Sequence, residues 1–124
     1  LLTGLSLGYS AAAVAQDSTD FTVKTSRHLV NLCSVTAGQD DYEAAMGYCL
    51  GFMDGVHDYH AVLTSDALLK PVACPGHQTT RGEFVSMFLD WAAANPSLLD
   101  NESPIQGVMR AAAQKWPCQS HGRN

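Results

Sequence analysis

Several common ingredients are scarce in this 124-residue chain, and each shortage excludes something. Charged residues make up only 15%, and seven Lys and Arg face twelve Asp and Glu. The resulting net charge of −5 argues against a nucleic-acid partner, because phosphates demand clustered cations. At 46% hydrophobic residues the chain is too apolar for disorder and fits one small globular domain. No CxxC pair occurs, so zinc-ribbon and thioredoxin-type readings lack their spacing. HExxH is absent, which removes one common hydrolase signature. β alternation, internal repeats and low-complexity tracts are absent. Past the first 15 residues no apolar run is long enough to span a bilayer.

The first 15 residues, LLTGLSLGYSAAAVA, are uncharged and end in Ala13-Val14-Ala15 before Gln16-Asp17. An apolar run closed by small-x-small reads as the core and cleavage site of a secretory signal. With no basic segment before it, the signal is truncated at its start. The expected order is signal peptide 1–15, flexible leader 16–24, helical domain 25–118 and tail 119–124. Export to the periplasm follows, with no membrane association after cleavage.

Cysteine usage agrees with export. Cys33, Cys49, Cys74 and Cys118 form an even set in a small exported domain, which implies disulfides. Spacing alone leaves all three pairings open.

Four helices are expected. The first covers about 25–35, with Leu29, Val30, Leu32 and Cys33 as its apolar residues. Asp40 or Asp41 caps the second, over 42–63, and Glu43 suits its dipole. Tyr42, Ala45, Met46, Cys49, Leu50, Met53, Val56 and His60 follow at helical spacing. Gly47, Gly51 and Gly55 form a row at four-residue intervals. Each lowers helix propensity by up to about 1 kcal/mol relative to Ala, so the row suggests close packing against another backbone. A helix of the same domain is the favoured neighbour, and a second subunit is the other. Residues 64–78 form a linker broken by Pro71 and Pro75-Gly76. Thr80-x-x-Glu83 is a capping box opening a third helix that carries Phe84, Val85, Phe88, Leu89, Trp91 and Ala92. Asn95-Pro96 ends it. Ser103, Pro104 and Gln106 repeat the capping device for a fourth helix, with Ile105, Val108, Met109, Ala112 and Trp116 as its buried stripe.

The fold class is therefore all-α: a small domain of two helical hairpins stapled by two disulfides. If the third and fourth helices are antiparallel neighbours, Cys74 and Cys118 meet at one end. Cys33 and Cys49 then pair across the first hairpin.

The densest polar cluster is Asp54, His57, Asp58 and His60. A metal site would need further ligands and a motif that is missing, so no metal and no cofactor are expected. The blander reading is a solvated helix face with local Asp–His pairs. A partner-binding surface is the functional reading, joined by Asp66, Lys70 and His77 from the linker. That linker is long, proline-broken and anchored at Cys74, which suits exposure in a fixed shape. Oxidised cysteines cannot act as nucleophiles, and no carboxylate pair stands out. No catalytic residue is assigned, and the protein is expected not to be an enzyme.

One ordered set of motifs resembles a known family. It comprises Gly47-Tyr48-Cys49-Leu50-Gly51-Phe52-Met53-Asp54-Gly55, Cys74-Pro75, the Thr-capped helix with Phe84 and Leu89, Asn95-Pro96, Ala111-Ala112-Ala113 and Trp116-Pro117-Cys118. Spread over 29–118, this set is similar to the Rap/Tai immunity proteins of type VI secretion. The resemblance implies a periplasmic, disulfide-bonded, helical protein, often a homodimer, that binds and blocks a peptidoglycan amidase toxin. A second functional class is a periplasmic acid-stress chaperone, which would need a strongly acidic transition exposing apolar surface. Five His are few for such a switch, although the carboxylates could serve it.

Overall fold

The computed structural model describes Gly4 and residues 22–119, and among these it contains helices and no strands. The signal, the leader up to Phe21 (Gly4 apart) and the tail beyond Gln119 lie outside the described residues. Helix α1 spans Ser26–Cys33, α2 Tyr42–Ser65, α3 Arg81–Ala94 and α4 Pro104–Lys115, with a 3-10 turn at Pro96–Leu98 before α4. None of the described helices is long and apolar enough to cross a membrane.

Local chemistry sets most of the helix starts. The Thr25 hydroxyl accepts the His28 backbone N–H at the head of α1. Thr80 and Glu83 form a reciprocal capping box at α3, and Ser103 and Gln106 form another at α4 with Pro104 in the first turn. Helix α2 departs from expectation. Asp41 occupies the N-cap position but makes no side-chain capping bond. Its backbone, at φ −96° and ψ 10°, lies outside the extended region that capping requires. The turn before it is closed by backbone bonds from Gln39 to Thr36 and from Tyr42 to Gln39. Helix α2 also continues to Ser65, past the expected end at 63.

Packing joins α1 to α2 and α3 to α4, the two expected hairpins. Contacts of α1 with α4 and of α2 with α3 close them into one bundle. Leu29, Cys49, Met53, Phe88 and Val108 are its fully enclosed centre. The aromatics of α3 and the end of α4 behave as core residues: Phe84, Phe88 and Trp91 are buried, and Trp116 packs partly buried against them. The disulfides join Cys33 to Cys49 and Cys74 to Cys118, as the helix layout implied. No cysteine is left free.

Two faces differ from the sequence reading. Helix α4 buries Pro104, Gly107, Val108, Ala111 and Ala112, and turns Ile105 outward. The cause is a close approach at Gly107, where Ser26 of α1 and Phe88 of α3 lie against the backbone. Ser26 is enclosed there; its hydroxyl donates to the Ser103 carbonyl at 2.9 Å and its N–H to the Glu102 carbonyl at 2.8 Å.

The second correction concerns Gly47, Gly51 and Gly55. All three are exposed, and a Cβ at any of them would meet nothing within 4 Å. No helix of this domain packs on the row. The buried residues of α2 are Ala45, Cys49, Met53 and Val56. Each glycine sits two positions before or after one of them, about 200° around a helix of 3.6 residues per turn, so the row faces away from the core.

Two carboxylates are tuned by their partners. The Thr80 backbone N–H and then His77 hold the Glu83 carboxyl below its ordinary value of 4.5, and Arg27 holds Asp100 below 3.8. A depressed carboxyl stabilises the fold fully above its unfolded value and loses that contribution as the pH falls through the folded one. Denaturant midpoints should therefore be insensitive to these two groups at neutral pH and decline below about pH 5. Glu83→Gln and Asp100→Asn should each flatten the decline; an unchanged acid profile in both variants would contradict this assignment.

Candidate partner-binding surface

Of the predicted site residues, Asp54, His57, Asp58, His60 and Lys70 line three depressions that run into one another along α2, and Asp66 and His77 line none of them. The first, about 240 Å³, is lined by Asp54, His57 and Asp58 of α2 with Thr80, Arg81 and Phe84. The second is a narrow apolar cleft of about 90 Å³ that shares His57 and adds Val56, His60, Ala73, Met109 and Trp116. The third, about 160 Å³, shares Val56, His60 and Met109 and is bordered by Tyr59, Leu63, Leu69, Lys70, Val72 and Ile105. Helix α2 supplies one wall throughout, the start of α3 faces it at the first depression, and the linker borders the second and third.

Within this band the polar residues have separate partners. Asp54 faces Arg81 at 3.5 Å. His57 Nδ1 lies 3.2 Å from Asp58 Oδ1, and its ring stands edge-on to Phe84 at 5.6 Å. His60 Nε2 accepts the Val72 backbone N–H at 3.0 Å. His77 contacts Glu83 at 2.8 Å and stands against the Trp116 ring. Asp66 caps the end of α2, and its own N–H bonds back to Val62 and Thr64 carbonyls. Among the described residues no group of three or more His, Cys, Asp or Glu is placed to share a metal ion. The pairs Asp54–Arg81 and His57–Asp58 are largely exposed. Such contacts orient side chains more than they stabilise the fold.

The linker is held at several points. The Leu68 and Leu69 N–H groups both bond to the Leu63 carbonyl. Ala67 adopts a left-handed φ of 54°, which turns the chain sharply after α2. Val72 is tied to His60, and Cys74 is tied twice to the segment just after α4, by its disulfide to Cys118 and by its N–H to the Trp116 carbonyl at 2.8 Å. These ties fix a surface segment that carries no regular secondary structure of its own. Fixing a loop in advance reduces the ordering cost of binding.

Sequence reasoning proposed Asp54, His57, Asp58, His60, Asp66, Lys70 and His77, and did not propose the apolar residues that line the same depressions. Tyr59, Leu69, Val72 and Ile105 are 45–63% exposed and line one depression. The signal available for them was the apolar content of the linker, Leu68-Leu69 and Val72.

Comparison with known proteins agrees with this architecture. The family model for Rap1a immunity proteins matches residues 25–118. That interval runs from the N-cap of α1 to the last disulfide cysteine, and so contains all four helices and both bridges. No curated protein and no solved structure matches the chain. On a match covering this helical domain, the chain belongs to the Rap1a immunity protein family.

Proposed function

We propose that this protein is a periplasmic immunity protein that binds and blocks a peptidoglycan amidase delivered by type VI secretion. The family match carries the reading, since immunity works by occupying an effector. Two disulfides support an oxidising compartment outside the cytoplasm, and the apolar segment at 1–15 supplies the export signal. The protein acts by obstruction and not by catalysis. The contact surface is the band along α2 and the linker, with Asp54, His57, Asp58, His60, Asp66, Lys70 and His77 at its edge. A homodimer belongs to the same reading, and light scattering of the purified protein would give its mass.

The decisive experiment uses a cell-wall hydrolase found encoded beside this gene. The purified immunity protein should form a complex with it and abolish its peptidoglycan cleavage at a one-to-one ratio. Undiminished cleavage at tenfold excess would sink the proposal. Absence of any cell-wall hydrolase gene in the neighbourhood would count heavily against it.

A further inference from the structure

Among the described residues, four of the seven exposed large hydrophobics, Tyr59, Leu69, Val72 and Ile105, converge on a single depression. Soluble proteins rarely gather such residues in one place without an interaction to serve. Two of the polar groups that line it are already engaged. His60 Nε2 takes the Val72 N–H, and the Thr64 hydroxyl donates to the His60 carbonyl at 2.8 Å. A hydrophilic occupant would find little to bond to.

Size separates the remaining occupants. Small-molecule sites usually enclose about 300–1,000 Å³ and bury most of the ligand. This depression offers about 160 Å³ between half-exposed walls. That is side-chain scale, the dimension of a pocket that receives one anchor residue at a protein interface.

Charge narrows the partner further. Lys70 stands at the rim and is the one Lys or Arg between Arg27 and Arg81. Arg27, Arg81 and Arg110 each hold a carboxylate, of Asp100, Asp54 and Glu102. Lys70 holds none among the described residues. An unpaired ammonium beside an apolar slot is complementary to a carboxylate next to an apolar side chain.

We propose that this depression is the anchor site for the effector, taking one large aliphatic or aromatic side chain whose neighbouring carboxylate pairs with Lys70. This inference rests on the immunity reading above and names what that partner must present. The slot is pre-shaped, because the bonds at Leu68, Leu69 and Val72 and the Cys74–Cys118 bridge hold its linker wall.

The test is calorimetric titration of the neighbouring hydrolase into four proteins: wild type, Leu69→Asp, Lys70→Glu and Lys115→Glu. Lys115→Glu makes the same charge change on the last turn of α4, outside the slot. Leu69→Asp should weaken binding by roughly 30-fold or more, as loss of a buried anchor contact does. Lys70→Glu should weaken it about tenfold, and Lys115→Glu less than about threefold. Leu69 is exposed, so its substitution should leave the melting temperature near that of wild type. If it does not, Ile105→Asp replaces it as the apolar variant and carries the same expectation. Wild-type binding with the slot variants within threefold of it would overturn the anchor site alone. Failure of wild type to bind would overturn both the anchor site and the immunity reading.

Discussion

Replacing Gly107 with alanine is expected to destabilise the domain, although alanine is the better helix former by about 1 kcal/mol. The added Cβ would collide with the Ser26 hydroxyl and lie 3.0 Å from Ser26 Cβ and 3.3 Å from Phe88 Cε2. Ser26 and Phe88 are fully enclosed, so neither can withdraw without moving a helix. Overpacking of this kind costs about 1–3 kcal/mol. Displacing the Ser26 hydroxyl from the Ser103 carbonyl adds about 1 kcal/mol. For a domain of this size each kcal/mol lowers the melting temperature by roughly 4–8 °C. The check is thermal unfolding of Gly107→Ala, Ser26→Ala and the double variant. The double variant should lose less than the sum of the singles, because removing the hydroxyl makes room for the methyl group. A Gly107→Ala protein as stable as wild type would mean that α1 and α4 are not this close. Gly51→Ala is the opposite case: its site is open, so the substitution should raise stability by a few tenths of a kcal/mol to about 1 kcal/mol.

The two disulfides should respond differently to a reductant. Cys33 and Cys49 are 3% and 0% exposed and belong to the core, whereas Cys74 lies at the surface. Thiol–disulfide exchange requires a thiolate to reach a sulfur. Brief treatment with a dithiol, followed by alkylation and mass spectrometry, should label Cys74 and Cys118 first, with helical circular dichroism largely retained. Labelling of Cys33 and Cys49 should wait for unfolding. Equal labelling rates, or the reverse order, would contradict the burial argument. Removing the bridges outright is more severe. In the chain-entropy account, the 16-residue separation of Cys33–Cys49 and the 44-residue separation of Cys74–Cys118 correspond to about 3 and 4 kcal/mol. Native stability is only about 5–15 kcal/mol in total. A protein lacking both bridges should be mostly unfolded at 37 °C. The variant lacking only Cys74–Cys118 should keep its helices but lose the fixed linker, and with it the shape of the apolar slot.

Where a feature depends on residues within one turn of each other, it was legible. Thr80 with Glu83, and Ser103 with Pro104 and Gln106, announce helix starts because the partners that satisfy the free N–H groups are three residues away. Asp41 was misleading for the same reason, since a cap needs an extended backbone, and the turn from Thr36 to Tyr42 imposes another. The polar edge of the candidate surface was legible as a cluster on α2. Its apolar floor was not, because Tyr59, Leu69 and Ile105 come from α2, the linker and α4 and meet only when those elements pack.

The sequence by itself determined the helical class and the approximate positions of the helices, its ordered motifs carried the family resemblance, and the expected helix layout favoured the bridges that the structure then showed, Cys33–Cys49 and Cys74–Cys118. Hydrophobic period and capping chemistry suffice for the helices because each operates locally, and the simple up-and-down path of a hairpin is what brings each cysteine pair together. Only the tertiary structure decided which glycines matter. A glycine's role depends on what faces it, and what faces Gly107 is Ser26, some eighty residues earlier in the chain, whereas nothing within this domain faces Gly47, Gly51 or Gly55. The rotation of α4 that follows buries Gly107, leaves Ile105 at the surface, and so places it at the rim of the slot beside Lys70.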